Sequence, residues 1–141
     1  MSRILTRLKI TQLCEKFGIE ILYAFGSRAR EVCAAVEGGA GLEESSLSDV
    51  DMAMKLLPDR KMSVREKVEL AMNLEDLLGV GKVDLVLLSE ADPFLAVNII
   101  RGERLFSSDE RCADEYDLYV LRRAGDLAPF EQLRIKSVLN L

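Results

Sequence analysis

Three short strand-like runs, at residues 19–25, 49–56 and 83–88, are separated from one another by segments that hold a helix, and that alternation leaves few folds open. Helices and strands in alternation bury their apolar faces by laying helices on a sheet. The expected fold is therefore α/β, with a small mixed three- or four-stranded sheet flanked by helices. Ile4, Leu5, Leu8, Leu13 and Phe17 recur at roughly helical spacing before Gly18 and predict a first helix over Ser2–Phe17. Ser27 stands near the N-cap of a second helix over 28–35. Ser63 and Glu66 form a capping box, and Val64, Val68, Ala71, Leu74 and Leu78 share one face before Gly79, which predicts a third. The run 83–88 carries apolar residues on both faces and is expected in the middle of a covered sheet. Asp92-Pro93 opens a helix over 94–101 ended by Gly102. Ser108-Asp109-Glu110 opens another to about Ala124, and 129–139 predicts a last short one.

With 141 residues, 49% of them hydrophobic, the chain is long enough for one ordinary core and too short for two. A single domain is expected, with its core at about 19–106, a helical tail at about 108–141, and a flexible acidic loop at 36–48, where glycine, serine and glutamate concentrate. The net charge of −5 argues against direct nucleic-acid binding, which draws on clustered Lys and Arg, and suits a basic protein partner better. No apolar stretch approaches the ~20 residues that a membrane span needs. Cys14, Cys33 and Cys112 are odd in number and lack metal-ligand spacing, so they read as reduced, half-buried thiols in a cytoplasmic protein. The sequence leaves self-association into a homo-oligomer open.

The chain has no histidine. Acid–base work therefore falls on carboxylates. In Ser48-Asp49-Val50-Asp51, side chains two apart on a strand point the same way, so Asp49 and Asp51 share one small volume. Two carboxylates held that close repel each other unless a cation lies between them, and Mg²⁺ accepts such oxygens while leaving positions for substrate phosphates. Asp84 interrupts the apolar run after Lys82, where burial is expected and a carboxylate is costly unless paired or metal-bound. Gly26-Ser27, between a strand and a helix, lets a phosphate approach the backbone closely and meet free N–H groups at the helix N-terminus. Arg28 and Arg30 carry positive charge where the helix dipole disfavours it, which points to an anionic ligand; surface solvation is an equal reading for Arg30.

With these residues in place, the chain resembles a known family. Phe25-Gly26-Ser27-Arg28-Ala29-Arg30, Ser48-Asp49-Val50-Asp51 and Val83-Asp84-Leu85-Val86 look like the minimal nucleotidyltransferases of the DNA polymerase β superfamily, the antitoxin half of HEPN/MNT toxin–antitoxin pairs. The tail from Leu121 to Phe130 is similar to the helical end of such antitoxins. The resemblance implies that Gly26 and Ser27 hold ATP phosphates, that Asp49 and Asp51 bind Mg²⁺, two ions in this superfamily, and that Asp84 completes the metal site. It also implies transfer of AMP to a tyrosine hydroxyl of a HEPN-type toxin. One departure is the length of 28–48, longer than such proteins usually have between the two motifs, which reads as an insertion in the acidic loop. Two other readings fit the same residues: an antitoxin that neutralises by binding alone, and a nucleotidyltransferase acting on a small molecule, as aminoglycoside-modifying ones do.

Overall fold

The computed structural model describes residues 2–38 and 49–139. In chain order the elements are α1 (Ser2–Phe17), β1 (Ile19–Phe25), α2 (Ala29–Gly38), β2 (Val50–Leu56), α3 (Val64–Leu78), β3 (Val83–Leu87), α4 (Pro93–Ile100), β4 (Glu103–Ser107) and α5 (Glu110–Leu139), with a single 3₁₀ turn at Leu88–Glu90. The strands form one mixed sheet in the order β3-β2-β1-β4. β1 is antiparallel to both β2 and β4, and β2 is parallel to β3. The α/β architecture with a small mixed sheet is thus the expected one, in its four-stranded form.

Period-two alternation splits the core into two layers. Leu22 and Ala24 of β1 with Met52 and Met54 of β2 face α1, α2 and α3, whereas Ile21, Tyr23, Phe25 and Ala53 face α4 and α5. α3 forms as its sequence signals demand. The Ser63 hydroxyl accepts from the Glu66 amide, the Glu66 carboxylate accepts from the Ser63 amide, and Gly79 closes the helix in the left-handed region at φ 69°. Asp92 likewise caps α4 by accepting from the Phe94 and Leu95 amides at 2.9 Å.

Several expectations need correction. α1 has the expected bounds, but its buried stripe is Ile10, Cys14 and Phe17, and Leu5 and Leu8 are exposed. Burial follows the face that meets the sheet, and those three positions, at i, i+4 and i+7, present it. β3 is an edge strand and not a central one. Val83 and Leu85 pack with Leu70, Leu74 and Leu78 of α3, while Val86 packs with the α4 layer, so a strand covered on both faces can still lie at the edge. The place beside β1 is taken by β4, whose five residues bury only Leu105 and gave no strand signal of their own. The expected loop at 36–48 begins later than its first residue, since α2 continues to Gly38; positions 39–48 lie outside the described residues. α5 runs unbroken over 30 residues where two helices were expected. A lone Gly125 in open space weakens a helix without ending it, and Pro129 forgoes one backbone hydrogen bond within a helix that continues. Of the three thiols, Cys14 is buried, Cys33 half-buried and Cys112 exposed, all unpaired.

A polar network fixes α5 to the sheet. Arg104 of β4 donates to Glu110 at 2.8 Å, Asp114 at 3.0 Å and Asp117 at 2.8 Å, and the hydroxyl of fully buried Tyr23 donates to Asp117. Removing Arg104 leaves Asp117 in a half-buried place without its cation. Arg104→Ala is therefore expected to lower stability in urea unfolding by about 2 kcal/mol, less than a fully buried pair because the group is partly exposed to solvent. A loss under about 0.5 kcal/mol would show the network to be ornamental.

Candidate active site

β1 ends at Phe25 and the chain turns through Gly26 at φ 78°, with the Ala29 amide donating to the Gly26 carbonyl at 3.3 Å as α2 begins. A side chain is excluded at Gly26 twice over. The left-handed backbone disfavours it, and a Cβ there would lie 2.6 Å from Oδ2 of Asp51. The Gly-Ser turn and the carboxylate are therefore in contact. Register explains why: Asp51 on β2 stands opposite Phe25 on β1 and opposite Asp84 on β3. Ser27 is exposed and stands two residues before α2.

Asp51 is the centre of the group. Its carboxyl is pushed above the usual range first by desolvation, then by the negative charge of Asp84, then by that of Asp49. Asp49, immediately before β2, and Asp84 share a single cation. Lys82 Nζ lies 3.6 Å from Asp49 Oδ2 and 3.8 Å from Asp84 Oδ1. Asp84 was expected to be buried, but its side chain is 51% exposed. Its position on the edge strand accounts for that, and the desolvation expected at Asp84 falls on Asp51 instead.

Among the described residues no group of three or more His, Cys, Asp or Glu side chains is placed to hold a metal ion. The donor chemistry nonetheless suits Mg²⁺: hard oxygens only, repulsion concentrated on Asp51, and no ion pair to Asp51 among the described residues. An octahedral ion that keeps waters and takes phosphate oxygens needs no closed protein cage. Asp49, Asp51 and Asp84 offer the oxygens that such an ion would use.

The two arginines part company. Arg28 is buried, with its Nε 3.0 Å from Glu31 Oε2 and Nη2 3.3 Å from Glu31 Oε1. Arg30 is exposed and lines a cavity of about 300 Å³ that also touches Gly26, Asn98, Arg101 and Gly102. Asn98 and Arg101 are not among the site residues expected from the sequence. Nothing in their local sequence marks them, because α4 reaches the turn only through the folded chain.

The family profile described as "Polymerase beta, Nucleotidyltransferase" matches residues 8–111, which take in the Gly-Ser turn and all three aspartates. No curated protein matches the chain. Among solved structures, a mutant MntA–HpeT toxin–antitoxin complex is similar at 20% identity and a TM-score of 0.69, over 94% of this chain and 98% of that one. A toxin–antitoxin structure with AMP-PNP gives 20% identity and 0.68, over 94% and 98%. The complex of a tri-AMPylated Shewanella oneidensis HEPN toxin with MNT antitoxin gives 20% and 0.67, over 97% and 98%. At such identity the likeness concerns the fold.

Proposed function

The chain belongs to the polymerase β nucleotidyltransferase family, and from that membership we propose that it transfers AMP from ATP to a hydroxyl of a partner protein, a HEPN-type toxin, acting as its antitoxin. The observation that carries the reading is Asp51: crowded by two carboxylates, in contact with the Gly-Ser turn, and without a cation of its own among the described residues. A tri-AMPylated HEPN toxin stands in one of the structures that share the fold, and another holds AMP-PNP, which supports both the nucleotide and the acceptor.

In this reading the Ser27 hydroxyl and the backbone amides of the turn into α2 receive the phosphates, and Arg30 adds positive charge beside them. Asp49 and Asp51, with Asp84, hold Mg²⁺. The ion supplies charge neutralisation at the α-phosphate and the leaving group. The acceptor hydroxyl gives its proton to the Asp84 carboxylate, its oxygen bonds to the α-phosphorus, and the bond from that phosphorus to the bridging oxygen breaks, so pyrophosphate leaves with the electron pair. Asp84 suits the proton because its exposed place on the edge strand lets an acceptor reach it. Arg28, held by Glu31, orders the first turn of α2 and so positions the amides. ATP as donor and three unpaired cysteines suit a cytoplasmic setting. Incubation with Mg²⁺, ATP labelled at the α-phosphorus and a HEPN-type partner tests the proposal. Label is expected on the partner with the wild-type protein and not with Asp84→Asn.

A further inference from the structure

The turn from α4 into β4 is drawn hard against β1. A Cβ on Gly102 would fall 2.2 Å from the Ala24 carbonyl oxygen and 3.0 Å from Phe25 Cα, so only glycine permits the approach. That contact brings the C-terminal end of α4, with Asn98 and the capping residue Arg101, up to the Gly-Ser turn. Between them lies the cavity of about 300 Å³, with Gly26 and Arg30 on one side and Asn98 and Arg101 on the other. Arg30, Asn98 and Arg101 are exposed, and among the described residues neither arginine is in an ion pair. Glu103 also borders the cavity, so two guanidinium groups and one carboxylate line it.

Two guanidinium groups beside one cavity repel each other unless an anion lies between them, and a bidentate donor on each wall suits a group with several phosphate oxygens. Asp51 touches Gly26, which the cavity also borders. The carboxylates, the turn and the arginines therefore follow one another, as the α-phosphate and the two beyond it do in a nucleoside triphosphate. Resting on the nucleotidyl-transfer reading above, the geometry points to Asn98 of α4 and its capping residue Arg101 as the second wall of a pocket for the β- and γ-phosphates, opposite Arg30. The pocket selects triphosphate over monophosphate nucleotides and holds the departing pyrophosphate.

Calorimetric titration of the full chain with ATP, AMP and inorganic tripolyphosphate, each with Mg²⁺, tests this. Arg101→Ala is expected to weaken ATP and tripolyphosphate about tenfold and leave AMP within about twofold, with the melting temperature unchanged and part of the loss recovered by Arg101→Lys. Equal weakening of ATP and AMP, or no weakening of either, overturns it. So does a fall in melting temperature that accounts for the loss, since Arg101 also borders the groove between α4 and α5. Wild-type protein that binds ATP and transfers AMP, with Arg101→Ala indistinguishable from it, defeats this inference alone. Wild-type protein that binds neither ATP nor tripolyphosphate defeats the transfer reading with it.

Discussion

Asp51→Asn is expected to lower AMP transfer at least about a thousandfold, the effect of losing roughly 4 kcal/mol of stabilisation at the reacting phosphate, and yet to raise the melting temperature of the metal-free protein. Both effects have one origin. The ionised Asp51 is desolvated and faces Asp84 and Asp49, so its charge opposes folding until a cation arrives. The folded carboxyl sits above its ordinary value of 3.8 while the unfolded one does not, so the folded chain holds this proton to higher pH. The penalty is absent below the unfolded pKa, grows as pH rises through the folded one and then levels off. The stability advantage of Asp51→Asn over wild type should follow that same course in metal-free buffer, and added Mg²⁺ should shrink it by stabilising wild type alone. A variant that is less stable than wild type at neutral pH, or that still transfers AMP, contradicts the assignment.

Gly26→Ala is the second large effect, and it has an internal control. At φ 78° any side chain is strained by about 1–2 kcal/mol, and the new methyl group would also meet Asp51 Oδ2 at 2.6 Å. Asp51 has to move to admit it. A displacement of about an ångström at a group that holds the metal lowers turnover on the order of a hundredfold. Gly79 has nearly the same backbone, φ 69°, but no atom within 4 Å of where its Cβ would lie. Gly79→Ala should therefore match the loss of stability and leave transfer unchanged. Chemical denaturation and transfer assays on the two variants separate strain from the clash, and equal activity in both would show that the turn does not place Asp51.

The contrast between what the chain's pattern disclosed and what it hid follows interaction range. α3 was readable in full because its start, face and stop are all local: Ser63 and Glu66, a buried stripe, Gly79. The turn at Gly26-Ser27 and the nearness of Asp49 to Asp51 were readable for a similar reason, since carboxylates two apart and a turn between strand and helix declare themselves within a few residues. The burial of Asp84 was misjudged because apolar neighbours on both faces speak for cover above and below, and not for a strand on each side. β4 escaped because its polar residues answer to partners elsewhere: Arg104 to three acids of α5 and Ser107 to Glu110. Arg101 escaped for the same reason, as only the close approach of Gly102 to β1 gives it a place beside the turn.

The most direct test of the account is the transfer itself, measured together with binding in one sample. The protein, Mg²⁺ and a HEPN-type partner are incubated with ATP labelled at either the α- or the γ-phosphorus. The complex is then isolated, and label on the partner is counted. The account predicts a stable complex whose partner carries α-label and no γ-label, with transfer abolished in Asp84→Asn while the complex still forms. A partner that is bound tightly by the wild-type protein but never acquires α-label, across divalent metals and nucleotides, contradicts it and leaves neutralisation by binding alone.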